Sequence, residues 1–170
     1  MMDNICFRFI KRRGPIVKIR VFLFVVLIVL LAWYVSAYWY QLLLIQGESM
    51  EPAFHNLQIV LLKKYITSPE IERGDVVAFE CSGLSSVLVK RVVALPGDTI
   101  VIKDEILYVN GEVSPIYKGR AFSYAGVLKN ELIVPSDCFI VIGDNIQKSK
   151  DSRYEEVGTV SFKDVIGKIL

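Results

Sequence analysis

Histidine and cysteine are scarce in this 170-residue chain: there is one histidine, His55, and three cysteines, Cys6, Cys81 and Cys138, widely spaced and in no C-x-x-C pair. A structural zinc site needs four converging Cys or His ligands, so this supply argues against one. Glycine-rich phosphate loops are missing too, since Pro96-Gly97-Asp98 and Gly143-Asp144-Asn145 are turn chemistry. No metal and no cofactor is expected. A basic stripe for nucleic acid is also lacking. Positive charge is concentrated before residue 21, in Arg8, Lys11, Arg12, Arg13, Lys18 and Arg20 against Asp3, and the rest of the chain carries 14 basic and 17 acidic residues. That mildly acidic remainder predicts no nucleic-acid partner.

What the chain has in excess is apolar residues, 53% of the total with a mean hydropathy of +0.44, which is high for a wholly soluble protein. Many lie in the run Val21 to Ile45, interrupted apart from its aromatics only by Ser36 and Gln41. At about 1.5 Å per residue a helix of that length exceeds the ~30 Å hydrocarbon core, so 21–45 is expected to be a single transmembrane anchor with the lipid bilayer as its partner. Trp33, Tyr34, Tyr38, Trp39 and Tyr40 crowd its second half, as an aromatic belt does. The basic residues of 1–20 mark a cytoplasmic segment and place residues 46–170 on the extracytoplasmic face of the cell membrane. Val35-Ser36-Ala37 offers a competing reading as the cleavage site of a secretory signal. Cleavage there would leave a mature chain beginning with the greasy stretch that ends in Leu42-Leu43-Leu44-Ile45.

Residues 46–170 read as one β-rich domain. Short runs at 57–62, 76–79, 87–94, 99–103, 105–109, 132–134 and 139–142 alternate with turn residues, which predicts an all-β antiparallel sandwich or barrel-like domain behind the single helix. Asn110-Gly111 signals a tight hairpin turn. Ser68-Pro69-Glu70 suits a single helical turn. Tyr117 to Glu131 is polar and irregular and reads as a surface loop.

The polar stretch Gly47-Glu48-Ser49-Met50-Glu51-Pro52 stands where the apolar run stops. A serine hydroxyl is nearly inert until a base takes its proton, and His55 reads as a turn or surface histidine. A lysine is the other source of a base, and Lys90 lies mid-strand in Val87-Leu88-Val89-Lys90-Arg91-Val92-Val93. Alternation puts Lys90 and Arg91 on opposite faces without saying which points inward. On pattern alone Lys90 reads as a charge that guards a strand edge against aggregation; chemistry offers the other reading, since of the two only the lysine can lose its proton near neutral pH when desolvated.

Four stretches together resemble the type I signal peptidases, membrane-anchored Ser/Lys proteases, in their Gram-positive branch. They are Gly47 to Pro52; Arg73-Gly74-Asp75-Val76-Val77-Ala78-Phe79; Val89-Lys90-Arg91-Val92-Val93-Ala94-Leu95-Pro96-Gly97-Asp98; and Gly143-Asp144-Asn145 with Ser149-Lys150-Asp151-Ser152-Arg153. The resemblance implies removal of signal peptides from exported preproteins after small residues, with Ser49 as nucleophile and Lys90 as general base. It further implies that Ser149 hydrogen-bonds the lysine amine, and that the Ser49 backbone N–H helps hold the oxyanion. Asp151 and Arg153 resemble a structural ion pair beneath the site, and Met50 a residue of the substrate- or membrane-facing surface. Gly47 stands where many members carry a serine, and Ile146-Gln147-Lys148 departs from the usual residues of the last stretch. Two other expectations fit the same residues: a specialised Ser/Lys peptidase for a dedicated substrate, and a catalytically silent membrane-anchored binding domain. A repressor-type autoprotease would need a DNA-binding domain and no anchor.

Overall fold

A computed structural model describes residues 15–64 and 70–170, so most of the basic segment and the Ser68-Pro69 turn lie outside the described residues. The chain forms two units, 1–38 and 39–170. Of the first, helix α1 (Pro15–Tyr38) is described. Its Val17–Tyr38 part is 22 residues long and contains an 18-residue stretch with a mean hydropathy of 2.5, and at about 1.5 Å per residue that is long enough to cross a bilayer. Phe22, Leu23, Phe24 and Val25, successive residues about 100° apart around its axis, are all more than half exposed. A helix apolar all round with no packed face suits lipid rather than a protein core.

The apolar run expected to continue as one anchor to Ile45 is two elements. The helix stops at Tyr38, and Tyr40–Leu44 is instead strand β1, paired antiparallel with β2 (Ile59–Lys64) from Tyr40 opposite Lys63 to Leu44 opposite Ile59. Leu43 turns inward while Leu42 and Leu44 face out. Composition alone does not distinguish a helical leucine run from a strand, and here the pairing partner decides.

The remaining strands are β3 (Val76–Cys81), β4 (Ser86–Ala94), β5 (Thr99–Lys103), β6 (Ile106–Val109), β7 (Glu112–Val113), β8 (Leu132–Ile133), β9 (Cys138–Ile142), β10 (Val160–Ser161) and β11 (Val165–Ile169). They build a seven-stranded sheet in the order β1-β2-β11-β3-β4-β9-β10 and a four-stranded sheet in the order β7-β6-β5-β8. Every pairing is antiparallel. The all-β expectation therefore holds, and each predicted run overlaps a strand, with ends that differ by at most two residues. The C-terminal strand β11, which the sequence pattern does not mark, closes the sheet between β2 and β3. The β6–β7 turn is made by Asn110 and Gly111, both at positive φ (55° and 80°), the backbone a two-residue hairpin needs and these residue types tolerate.

The segment from Tyr117 to Glu131 is not merely a surface loop. Tyr117, Phe122 and Leu128 are buried in one apolar cluster with Val93, Ile100 and Ile142, and burial of such side chains stabilises by about 1.5–3 kcal/mol each. A second cluster, of Ile45, Met50, Val60, Leu62, Val76, Ala78 and Ile169, lies beneath the Ser49 turn. Cys81 and Cys138 are free.

Candidate active site

The β1–β2 ladder places Ser49. Hydrogen bonds between Ile45 and Gln58 (2.8 Å) and from Leu57 to the Ile45 carbonyl (2.8 Å) extend the pairing past Leu44. The intervening residues are thereby closed into a compact loop. Within it the Phe54 N–H donates to the Met50 carbonyl (2.9 Å) and the Gly47 N–H to Asn56 Oδ1 (2.8 Å). The Ser49 carbonyl accepts from the Asn145 N–H at 3.0 Å, joining this turn to the segment 143–153. Lys148 and Glu48 form an exposed ion pair across the same junction. The Ser49 N–H itself donates to no protein group among the described residues.

Strand β4 places the lysine. It pairs with β3 along its length, Lys90 lying opposite Val77, whereas its pairing with β9 begins only at Arg91. The Ser86–Lys90 half of that edge is thus left without a strand partner among the described residues, and a groove of about 350 Å³ runs there, lined among others by Leu43, Ile45, Ser49, Met50, Leu88 and Lys90. Lys90 is buried, 3% exposed, and its Nζ lies 2.6 Å from Ser49 Oγ. Burial pushes its pKa down from 10.5 to about 8, working against the nearby carboxylates of Asp151 and Asp144, which raise it. A substantial neutral fraction near pH 8 leaves a lone pair for the serine proton.

Arg91, on the alternate face, is held by Asp144. Its Nε and Nη2 donate to the two carboxylate oxygens at 2.7 and 2.6 Å, and Nη1 donates to the Gly74 carbonyl at 2.7 Å. That hydrogen-bonded carboxylate raises the arginine pKa further. The inward basic residue at the serine is therefore Lys90.

Asp151 and Arg153 pair in the interior, 0% and 2% exposed, with Arg153 Nε and Nη2 on the two Asp151 oxygens at 2.8 and 3.0 Å. Asp151 also accepts the Gly143 N–H at 3.0 Å. Arg153 further donates to the carbonyls of Ile146, Ser149 and Tyr124. The pair thus knots the segment 143–153 and ties it to the 117–131 stretch. A Cβ on Gly143 would lie 2.2 Å from Ser149 Oγ and 2.5 Å from the Ser49 carbonyl oxygen, so only glycine fits there.

One expected contact is corrected. Ser149 sits against this glycine, buried, but its Oγ has no hydrogen-bond partner, so the bond expected to Lys90 is not formed. Met50 is 1% exposed and packs with Ile45 and Leu62, an unbranched side chain filling a gap, while it also contributes to the lining of the groove. His55 is on the surface beside Glu51, as expected of it. The Asp144–Arg91 and Arg120 contacts were not anticipated. The adjacency of Arg91 to Lys90 was the one sequence signal for them, because alternation sends it to the opposite face.

An antiparallel β-domain behind a single apolar helix, with a serine and a buried lysine in contact at an open sheet edge, has the layout of a membrane-associated peptidase. The family profile described as "Signal peptidase, peptidase S26" matches residues 18–170, so the chain belongs to the signal peptidase family. It is 33% identical over 152 residues to a signal peptidase I of Bacillus licheniformis, covering 84% of this chain and 81% of that protein. It is 34% identical over 155 residues to signal peptidase I S of Bacillus subtilis (strain 168), covering 84% and 82%. A crystal structure of a signal peptidase I from Enterococcus faecalis V583 superposes with a TM-score of 0.50 at 27% identity, covering 61% of this chain and all of that one.

Proposed function

We propose that this chain is a signal peptidase I that uses Ser49 and Lys90 as a catalytic pair to remove N-terminal signal peptides from exported preproteins after small residues. The observation that carries the reading is the 2.6 Å contact between Lys90 Nζ and Ser49 Oγ, with the lysine buried at the wall of the groove. The neutral amine takes the Ser49 proton as Oγ attacks the scissile carbonyl carbon. The carbonyl oxygen becomes an oxyanion, which the uncommitted Ser49 N–H is available to stabilise. Collapse breaks the C–N bond, and the lysine ammonium returns its proton to the departing amine. A water deprotonated by Lys90 then attacks the acyl ester, and Ser49 recovers its proton as it leaves. The substrate lies in the groove as an extended strand beside the free half of β4, which offers backbone partners. Asp151 and Arg153 act as the structural pair beneath the site, and Ser149 has no part as a hydrogen-bond partner of the amine in this conformation.

Cleavage of a preprotein in detergent tests the nucleophile. The parent chain is expected to process it and Ser49→Ala to leave it intact; equal processing by both would remove Ser49 from the mechanism.

The charge pattern and α1 together support a single-pass arrangement: a cytoplasmic segment 1–20, an anchor ending at Tyr38 rather than residue 45, and a peptidase domain on the extracytoplasmic face. Protease added to the outside of spheroplasts is then expected to attack the β-domain and spare residues 1–20. A protected β-domain would reverse the orientation.

A further inference from the structure

A second concavity, of about 340 Å³, is lined among others by Pro52, Ala53, Arg91, Ile116, Arg120 and Asp144. Its position is set by two chain segments. The groove walls, 43–46 and 86–89, lead to Ser49 and Lys90, and the next residues along each, Pro52 with Ala53 and Arg91, line this second concavity. The 50–54 turn is closed by the Phe54-to-Met50 hydrogen bond, so the distance bridged is short. A peptide filling the groove with its scissile bond at Ser49 advances about 3.3 Å per residue, so the residues soon after the cut are the ones that approach this concavity.

The two concavities differ in chemistry. Leucine, isoleucine and valine line most of the groove, which suits an apolar signal segment. The second concavity has two guanidinium groups and one carboxylate. Asp144 is already engaged by Arg91 at both oxygens, whereas Arg120 forms no ion pair among the described residues. Arg120 is nonetheless fixed: its Nη1 donates to the Asp144 carbonyl at 2.6 Å, and its guanidinium lies 5.7 Å from the Tyr117 ring centroid. The buried Tyr117 hydroxyl in turn donates to the Ile142 carbonyl at 3.1 Å. A guanidinium pinned on two sides keeps a planar fork of donors suited to a carboxylate, and little side-chain freedom is lost on binding.

We propose that this pocket is a specificity site for the mature side of the substrate, in which Arg120 receives an acidic side chain two or three residues after the scissile bond. The assignment rests on the reading of Ser49 as the point of cleavage, and it gives the 117–131 segment a function besides packing.

The test uses the full chain in neutral detergent and peptides identical except for Glu, Gln or Lys at the second or third position after the cut. The parent is expected to favour Glu over Gln in kcat/KM by about 3- to 10-fold at low salt, the range of a partly exposed charge-assisted contact. That preference should shrink at high ionic strength. Arg120→Gln should bring the ratio to about one, and Arg120→Glu should reverse it in favour of Lys. A Glu-to-Gln ratio unchanged by Arg120→Gln, or an equal loss with both peptides, would overturn the proposal and leave Arg120 a scaffold residue. Kd values of the same peptides on Ser49→Ala protein give the ratio without chemistry. If the parent cleaves none of the peptides, the serine–lysine reading fails while that Kd ratio still decides the pocket. An effect of Arg120→Gln that emerges only when anionic lipid is added would make Arg120 a lipid contact and sink the substrate assignment.

Discussion

Lys90→Met is expected to abolish cleavage while leaving the β-domain as stable as the parent, or more stable, at pH 6. General-base loss alone costs about 10²–10⁴ in rate. Here the serine also loses the basic neighbour 2.6 Å from its hydroxyl, so turnover should fall to background. The stability half rests on the lysine pKa, depressed from 10.5 to about 8 by burial. Between those values the unfolded chain holds a proton that the folded chain has released, so stability rises with pH across the window. Below pH ~8 both states are protonated, and keeping the ammonium buried costs on the order of 3 kcal/mol, a cost lifted progressively up to about pH 10.5. Methionine has a similar shape and no charge. Its advantage over the parent should therefore be largest below pH 8 and fade above it, as read by denaturant midpoints over a pH series. The parent's kcat/KM should rise with an apparent pKa near 8. Retained turnover in the variant, or a stability difference independent of pH, would remove the desolvated-base account.

Arg153→Met is expected to destabilise the domain by about 3–5 kcal/mol, because it leaves the Asp151 carboxylate buried without its counter-charge. Three carbonyls, those of Ile146, Ser149 and Tyr124, lose a donor at the same time. Against a typical total of about 5–15 kcal/mol that is a large fraction. Replacing both partners, as Asp151→Leu with Arg153→Met, should recover part of the loss, since the isolated charge and not the absence of the pair is the costly element. Urea unfolding of the three proteins separates the terms, and a single-variant loss under about 1 kcal/mol would reduce the pair to the value of an exposed contact.

Much of the molecule was legible from residue order. The charge before residue 21 and the apolar run after it marked the helix, because burial in lipid demands a long uninterrupted apolar segment and little else. The strand runs were legible for the same reason of period, and Asn110-Gly111 because few residue types accept two successive positive φ values. Ser49 and Lys90 stood out by chemistry: a polar loop at the end of the apolar run, and a mid-strand amine able to lose its proton.

The tertiary structure decided what depends on partners distant in sequence. Whether Tyr40–Leu44 continues the helix or joins the sheet depends on β2, which local propensity cannot see. Strand alternation separates Lys90 from Arg91 but cannot tell inside from outside; the Asp144 carboxylate, reached only through the fold, holds the arginine on its own face and leaves the amine to the serine. Ser149 stands in the expected place without the expected bond, because a hydroxyl's partners are set by distances of tenths of an ångström that spacing does not encode. The 117–131 segment reads as surface because its charged and polar residues interrupt the apolar ones with neither a strand nor a helix period, yet Tyr117, Phe122 and Leu128 reach one core and carry Arg120 to Asp144. Sequence thus determined which chemical groups were available and on which period they repeat, while long-range packing determined which of them meet, since contact between residues far apart in the chain is a property of the closed sheet alone.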